Sequence, residues 1–157
     1  MPTPVIAPRV IRTFVQHIQA NPEEVFPLLC PELEKAWLPG WDCRMIHSAS
    51  GAAEPGAVFE TPHALGSTKW MVTEHQPPKR VTFVRWQPDA VMVRIEIALG
   101  RHVHGTTAVC IEYTYTPTDA ASRAILSTAS EAEWLENMEH WQRSMNAWFE
   151  QRPRATG

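Results

Sequence analysis

Three side chains of this sequence could do acid–base chemistry because of where they fall on candidate strands. Tyr113 lies in a segment of alternating apolar and polar residues, Arg85 shares strand parity with Phe83, and Glu60 shares it with Val58. An enzyme needs such an acid or base within hydrogen-bond reach of its substrate. Charged residues on strands more often face water. Tyr113, Arg85 and Glu60 are therefore weak catalytic candidates, and none is a firm assignment.

The seven histidines do not form a metal-binding motif. His102 and His104 lie on one side of an extended segment, but protein zinc sites use three or four ligands. Neither an HExxH motif nor a paired Cys/His motif supplies the others. The sequence also lacks a local Ser-His-Asp, Cys-His or nucleophile-elbow pattern. We therefore expect no metal and no cofactor.

The strand candidates alternate apolar and polar side chains. Every second residue from Val91 to Leu99 is apolar, and Thr106 to Thr116 repeats the pattern after a hairpin at 100–105. This alternation is typical of an antiparallel sheet with one covered face. Further strand candidates lie between turn signals at residues 42–48, 57–62, 67–75 and 80–86.

A long helix is predicted after the last strand, ending near Gln151. Its large apolar residues recur at steps of four and three, as on one helical stripe: Trp134, Met138, Trp141, Met145 and Trp148. Two capping-box spacings fit its start, Thr128 with Glu131 and Ser130 with Glu133. Residues 119–127 are expected to form a separate lead-in turn. The stripe must pack on the apolar face of the sheet, since no other apolar surface is available.

The first part of the chain predicts one strand and two short helices. Residues 9–20 are rich in β-branched and aromatic side chains and end at Asn21-Pro22. Pro27, Pro31 and the Pro39-Gly40 pair divide the following segment into two short helical pieces. The order of elements predicts an α+β fold, a curved antiparallel sheet of about six or seven strands wrapped around the long C-terminal helix.

Four segments, in this order, carry a family resemblance: 18–26 (IQANPEEVF), 37–41 (WLPGW), 54–58 (EPGAV), and 105–107 (GTT) together with 141–150 (WQRSMNAWFE). They are similar to the strand-to-helix junction, the exit from the second helix, the start of the third strand, and the last hairpin and terminal helix of the START-like superfamily, also called SRPBCC. The resemblance covers about residues 10–151. It implies the helix-grip fold of pollen-allergen-like proteins, lipid-transfer domains, polyketide cyclase/dehydratase-like proteins and activators of a heat-shock chaperone ATPase.

The resemblance implies a cavity between sheet and terminal helix that carries or sequesters a hydrophobic or aromatic small molecule. Such cavities are mostly apolar, with a few polar groups that orient the ligand. The expected ligand-binding residues are Phe83, Val93, Ile95, Ile97, Val109, Ile111, Tyr113, Tyr115, Met138, Trp141 and Met145. A solid core is the alternative for the same Trp/Met stripe.

Two other functions stay open. Cyclase or dehydratase relatives would use Tyr113, Arg85 or Glu60 in the same cavity, without a metal. Chaperone-activating relatives act through protein contacts, for which exposed Trp37 and Trp41 would mark the partner surface. We favour a binding protein over an enzyme, and a homodimer is left open.

Composition and charge exclude several other classes. The 157 residues predict one domain at 10–151, between a flexible arm at 1–9 and a tail at 152–157. With 14 basic and 17 acidic residues, the net charge of −3 does not favour nucleic acid. The apolar runs are too short to cross a membrane, and the N-terminus does not resemble a signal peptide. Three scattered cysteines are typical of reduced thiols, so we expect a cytoplasmic protein.

Overall fold

The computed structural model describes residues 1–152 and contains a seven-stranded antiparallel sheet. Its strands are β1 (Val10–Ile18), β2 (Arg44–His47), β3 (Val58–His63), β4 (Gly66–Gln76), β5 (Arg80–Trp86), β6 (Val91–His102) and β7 (Thr106–Pro117). Their order across the sheet is β1-β7-β6-β5-β4-β3-β2. The first strand therefore pairs with the last, and β1 and β2 are the edge strands. Residues 1–9 precede β1 without regular structure.

Two short helices follow β1 and two further helices follow β7. They are α1 (Pro22–Val25), a 3-10 turn at Phe26–Leu29, α2 (Pro31–Trp37), α3 (Ala120–Ser127) and α4 (Glu131–Glu150). Pro22 and Pro31 open α1 and α2, a position where the missing proline N–H breaks no helical hydrogen bond. The predicted α+β architecture, with two short helices after the first strand and a long C-terminal helix, is confirmed.

The alternation predicted for the last two strands is confirmed by burial. Val93, Ile95 and Ile97 of β6 are buried, whereas Arg94 between them is exposed. The register of β4 against β5 shifts between Val72 and Glu74. Such a bulge bends the strand and increases its twist. It therefore contributes to the curvature that lets the sheet wrap around a helix.

The apolar stripe of α4 packs against the sheet as predicted for Trp134, Met138, Trp141 and Met145, which are all buried. Trp148 also packs against the core but is only partly buried, while its neighbour Phe149, which the predicted stripe does not include, is 6% exposed. Trp148 lies at the edge of the stripe, where its ring packs edge-on against Phe149 and the Arg152 guanidinium covers it at 3.8 Å.

The lead-in segment is a helix of two turns rather than a single turn. Its N-cap is Asp119, whose side chain accepts a hydrogen bond from the Ser122 backbone N–H. In return, the Ser122 hydroxyl oxygen accepts a hydrogen bond from the Asp119 backbone N–H. Thr128 ends this helix, so the predicted Thr128 cap of α4 is wrong. Ser130 caps α4 instead, accepting a hydrogen bond from the Glu133 N–H at 3.2 Å, as the second spacing predicted.

The described residues end at Arg152, so the rest of the tail predicted at 152–157 lies outside them. Within residues 1–152, no helix combines the length and the apolar character needed to cross a membrane.

Candidate ligand-binding site

A cavity of about 390 Å³ lies between the inner face of the sheet, α2 and α4. Its walls are mainly apolar and aromatic, with a few polar groups. The lining residues come from three parts of the fold. α2 and the loop after it contribute Pro31, Glu34, Leu38, Pro39, Gly40 and Trp41. The sheet contributes Phe59, Trp70, Phe83, Arg85, Ile95, Ile97, Tyr113 and Tyr115, and α4 contributes Trp134, Asn137, Met138, His140 and Trp141.

The mouth of this cavity lies between α4 and the loop that follows α2. Asn137 and His140 of α4 are exposed at one side, and Pro39 and Gly40 are exposed at the other. Gly40 has φ +82, a left-handed conformation that glycine adopts without strain. The turn at Gly40 therefore brings the chain from the end of α2 back over the cavity.

The structure brings many of the predicted ligand-binding residues together around this cavity: Phe83, Ile95, Ile97, Tyr113, Tyr115, Met138 and Trp141. Four others do not line it, namely Val93, Val109, Ile111 and Met145, and all four are buried. Val109 and Ile111 pair with β1, and the Gln16 side chain of β1 donates to the Met138 carbonyl at 3.0 Å. The helix is thus hydrogen-bonded to β1 along this edge of the sheet, beside the cavity.

Val93, unlike the other three, lies between two residues of the cavity wall. Its cross-strand neighbours are Arg85 and Tyr115, and both of these longer side chains line the cavity. Val93 itself is 1% exposed and fills the base of the wall between them.

Glu60 lies on the outer face of the sheet, so its predicted place in the cavity is wrong. Phe59 occupies the inner face of β3, and Glu60 bonds instead to Lys69 and to Arg44, the latter at 2.8 Å. These two cations lower the pKa of Glu60 to about 2. An ionised carboxylate on the far side of the sheet cannot act on a ligand in the cavity.

Arg85 does point into the cavity, where its guanidinium lies between two aromatic rings. The guanidinium carbon is 5.1 Å from the centroid of the Trp70 ring and 5.5 Å from that of Tyr113. Such contacts are attractive because the ring faces carry negative potential. Nε of Arg85 is buried and has no hydrogen-bond acceptor among residues 1–152.

Tyr113 and Tyr115 bring two hydroxyl groups into the same wall. Burial raises the pKa of both phenols, and the Arg85 guanidinium opposes that effect only in part. The Tyr115 hydroxyl also lies beside the Trp134 indole. Both phenols therefore keep their protons at neutral pH and can donate hydrogen bonds to a ligand.

Glu34 is a cavity residue that the sequence analysis did not identify. It is 8% exposed, and burial raises the pKa of its carboxyl well above 4.5. Glu34 lies three residues from both Pro31 and Trp37, which are also buried, so the three share one face of α2. That spacing was the available signal, but seven residues are too few to establish a helical period.

Trp37 and Trp41 are not exposed, which removes the surface expected for a protein partner. Trp37 is 5% exposed, its N–H donates to the Leu28 carbonyl at 2.8 Å, and its ring stacks on Trp141. Trp41 is half-buried and donates to the Pro31 carbonyl at 2.9 Å. Both indoles pack around the cavity instead.

The histidine pair is placed away from the cavity. His102 and His104 are exposed at the turn between β6 and β7. No cluster of three or more His, Cys, Asp or Glu side chains that could hold a metal is found among residues 1–152.

Comparison with known proteins identifies the fold. No family model and no curated protein matches the sequence. An uncharacterised protein from Rhizobium leguminosarum superposes with a TM-score of 0.65 at 15% identity, over 94% of this chain and 98% of that one. A point mutant of norcoclaurine synthase from Thalictrum flavum, in complex with a transition state analogue, superposes with a TM-score of 0.68 at 10% identity. The match covers 92% of this chain and 96% of that one. Ara h 8.0201 gives 0.65 at 9% identity, over 91% and 100%. The chain has the helix-grip fold.

Proposed function

We propose that this helix-grip protein binds a small molecule with a hydrophobic, aromatic body in the cavity between the sheet and α4, and so carries or sequesters it. The observation that carries the proposal is the cavity itself. Its volume of about 390 Å³ falls within the range of roughly 300–1,000 Å³ typical of small-molecule sites. Aromatic walls with a few inward polar groups are the usual composition of such sites.

A structural neighbour supports this function at the level of the fold. Norcoclaurine synthase, solved with a transition state analogue, is a helix-grip protein that binds a small molecule. In the present chain, the mouth beside Gly40 and His140 gives a ligand a route to the cavity.

Titration of intrinsic tryptophan fluorescence tests the proposal. A panel of sterols, fatty acids, flavonoids and polyketides should include a compound that changes the emission, because Trp70, Trp134 and Trp141 line the cavity. Ile97→Phe enlarges a cavity-lining side chain and should weaken binding of that compound. Met92→Phe, at an outward position near the start of the same strand, should not. No response across the panel would refute the binding function.

A second candidate function, an acid–base enzyme of the cyclase or dehydratase type, is supported by Glu34. Because its pKa is raised, the Glu34 carboxyl stays protonated at pH values where an ordinary glutamate is ionised. It can therefore donate a proton to a bound carbonyl or to a leaving hydroxyl. Arg85 in the same wall would stabilise the negative charge that develops. Glu34→Gln and Tyr113→Phe should then abolish turnover of an identified ligand while leaving its binding intact, and Glu60→Gln should not.

A further inference from the structure

Three N–H donors in the cavity wall form no hydrogen bond of good geometry with an acceptor among residues 1–152. They are Nε of Arg85 and the indole nitrogens of Trp134 and Trp141, all of them buried. The Tyr115 hydroxyl lies near both Arg85 and Trp134, and it does not give either donor in this set a well-formed bond. Buried polar groups are hydrogen-bonded in the great majority of cases. Leaving such a donor without a partner costs about 1–3 kcal/mol. Three of them around one cavity therefore indicate that their acceptors come from a bound molecule.

Other indoles show that this pattern is not general. Trp41 and Trp70 also line the cavity, and their N–H groups donate to the Pro31 carbonyl and to the Thr61 hydroxyl, each at 2.9 Å. Four buried side-chain atoms outside the cavity are also unbonded among residues 1–152, namely Arg12 Nη1, Gln16 Oε1, Thr82 Oγ1 and Trp148 Nε1. The cavity wall holds the other three, and all three of these are N–H donors.

Two of the donors lie close together. Arg85 and Trp134 both contact the ring of Tyr113, with the guanidinium carbon 5.5 Å and the indole centroid 5.3 Å from the Tyr113 ring centroid. Trp141 lies seven residues beyond Trp134, about 10 Å along the α4 axis, where its ring stacks on Trp37. A ligand group beside Tyr113 can therefore face Arg85 from the sheet and the Trp134 N–H from the helix.

The charge of the cavity favours an anion. Arg85 forms no ion pair within residues 1–152, whereas Arg44, Arg80 and Arg94 on the outer face each pair with a carboxylate. Glu34 carries the one carboxyl group among the described lining residues, and its burial favours the neutral form. The guanidinium charge is therefore left for the ligand to balance.

Building on the binding function proposed above, we propose that the ligand is an aromatic anion whose charged oxygens accept hydrogen bonds from Arg85 and from the indole N–H group of Trp134. Its aromatic body lies against Phe59 and Phe83. Carboxylates and enolates of aromatic compounds meet this description, since a charged acceptor forms stronger hydrogen bonds than a neutral one.

A pair of dyes tests the ligand class separately from binding. The probes are 1-anilinonaphthalene-8-sulfonate and N-phenyl-1-naphthylamine, which share one fluorophore and differ by the anionic group. Arg85→Gln should weaken the sulfonate dye about tenfold or more, the expected effect of losing a charged hydrogen bond, and leave the neutral dye within about twofold. Trp134→Phe keeps an aromatic side chain but replaces the indole by a smaller phenyl ring and removes the N–H. It should weaken the sulfonate dye by about three- to tenfold more than the neutral dye, which reports the lost packing alone.

Arg94→Gln is the matched control, because it removes the same charge from the outer face beside Arg85 and should change neither affinity. If Arg85→Gln fails to fold by circular dichroism, Arg85→Met, which removes the charge and keeps an unbranched apolar chain, and Trp134→Phe decide the same question. Equal effects on both dyes, or none, would overturn the anionic ligand and leave the binding function standing. Failure of both dyes to bind the wild-type protein would overturn both proposals.

Discussion

The indole rings of Trp37 and Trp141 stack with their centroids 5.9 Å apart and their planes 11° from parallel. This stack joins α2 to α4 beside the cavity, and the Trp37 N–H is held by the Leu28 carbonyl. Both rings are largely buried, at 5% and 8% exposure. The position of one cavity wall therefore depends on an aromatic contact between two helices far apart in the sequence.

Trp141→Ala should lower the free energy of unfolding by about 3–5 kcal/mol, the usual cost of truncating a packed tryptophan. Denaturant titration of the two proteins measures the difference. In a double-mutant cycle with Trp37→Leu and Trp141→Leu, the coupling energy should be about 0.5–1.5 kcal/mol. A loss below about 1.5 kcal/mol in Trp141→Ala, restored by a ligand, would show instead that the ring lines an open pocket without being packed.

The strands and the terminal helix could be predicted because their patterns are long. β6 and β7 alternate over enough residues to define which face is inward. β3 has only six residues, and its first two, Val58 and Phe59, are both apolar. Either of them could be the residue that faces the core, so the pattern fits both orientations of the strand. The inverted parity places Glu60 on the wrong face, as a one-residue shift always does.

The extent of the cavity could not be predicted from the stripe on α4. Met138 and Met145 belong to the same stripe, yet Met138 lines the cavity and Met145 is fully buried in core. The difference is set by how closely each turn of the helix approaches the curved sheet. Next to Met145, Asn146 ties the helix to the Gln19 N–H and the His17 carbonyl at the end of β1, a contact that no local pattern reveals.

Glu34→Gln should gain stability relative to the wild type as the pH rises. The folded protein holds the Glu34 proton at pH values where the unfolded chain has lost it, because burial raises the pKa above 4.5. Wild-type stability therefore falls as the pH rises from about 4.5 to the folded pKa, by about 1.4 kcal/mol per pH unit. Glutamine has no such titration. Urea denaturation of both proteins across this range measures the growing difference.

Glu32→Gln is a suitable control for this titration, since Glu32 is more exposed on the same helix and pairs with Lys35. Its stability difference from the wild type should not show the growth with pH that is expected of Glu34→Gln when both are measured over the same range. A Glu34→Gln difference that is constant with pH would show that the Glu34 carboxyl is ionised in the folded protein.

Glu60→Gln should leave the affinity for both dyes unchanged, because Glu60 lies on the outer face of the sheet with Lys69 and Arg44. Its effect should appear in stability. The pKa of Glu60 is lowered to about 2, so its contribution is present above about 4.5 and is lost as the pH falls toward 2. The variant should therefore be less stable at neutral pH and lose less stability on acidification. Altered dye binding would instead link Glu60 to the cavity.

Asn146 of α4 binds the outer edge of β1 in place of a further strand. Its side-chain oxygen accepts from the Gln19 N–H at 2.8 Å, and its amide donates to the His17 carbonyl at 3.0 Å. Asn146→Ala should lower the free energy of unfolding by about 1–2 kcal/mol, since both bonds lie where water can partly replace them. Hydrogen exchange at the Gln19 amide should also become faster. Asn137→Ala, on the exposed mouth of the same helix, should change stability by less than about 0.5 kcal/mol. Equal effects of the two variants would mean that the terminal helix is held on β1 by its apolar stripe alone.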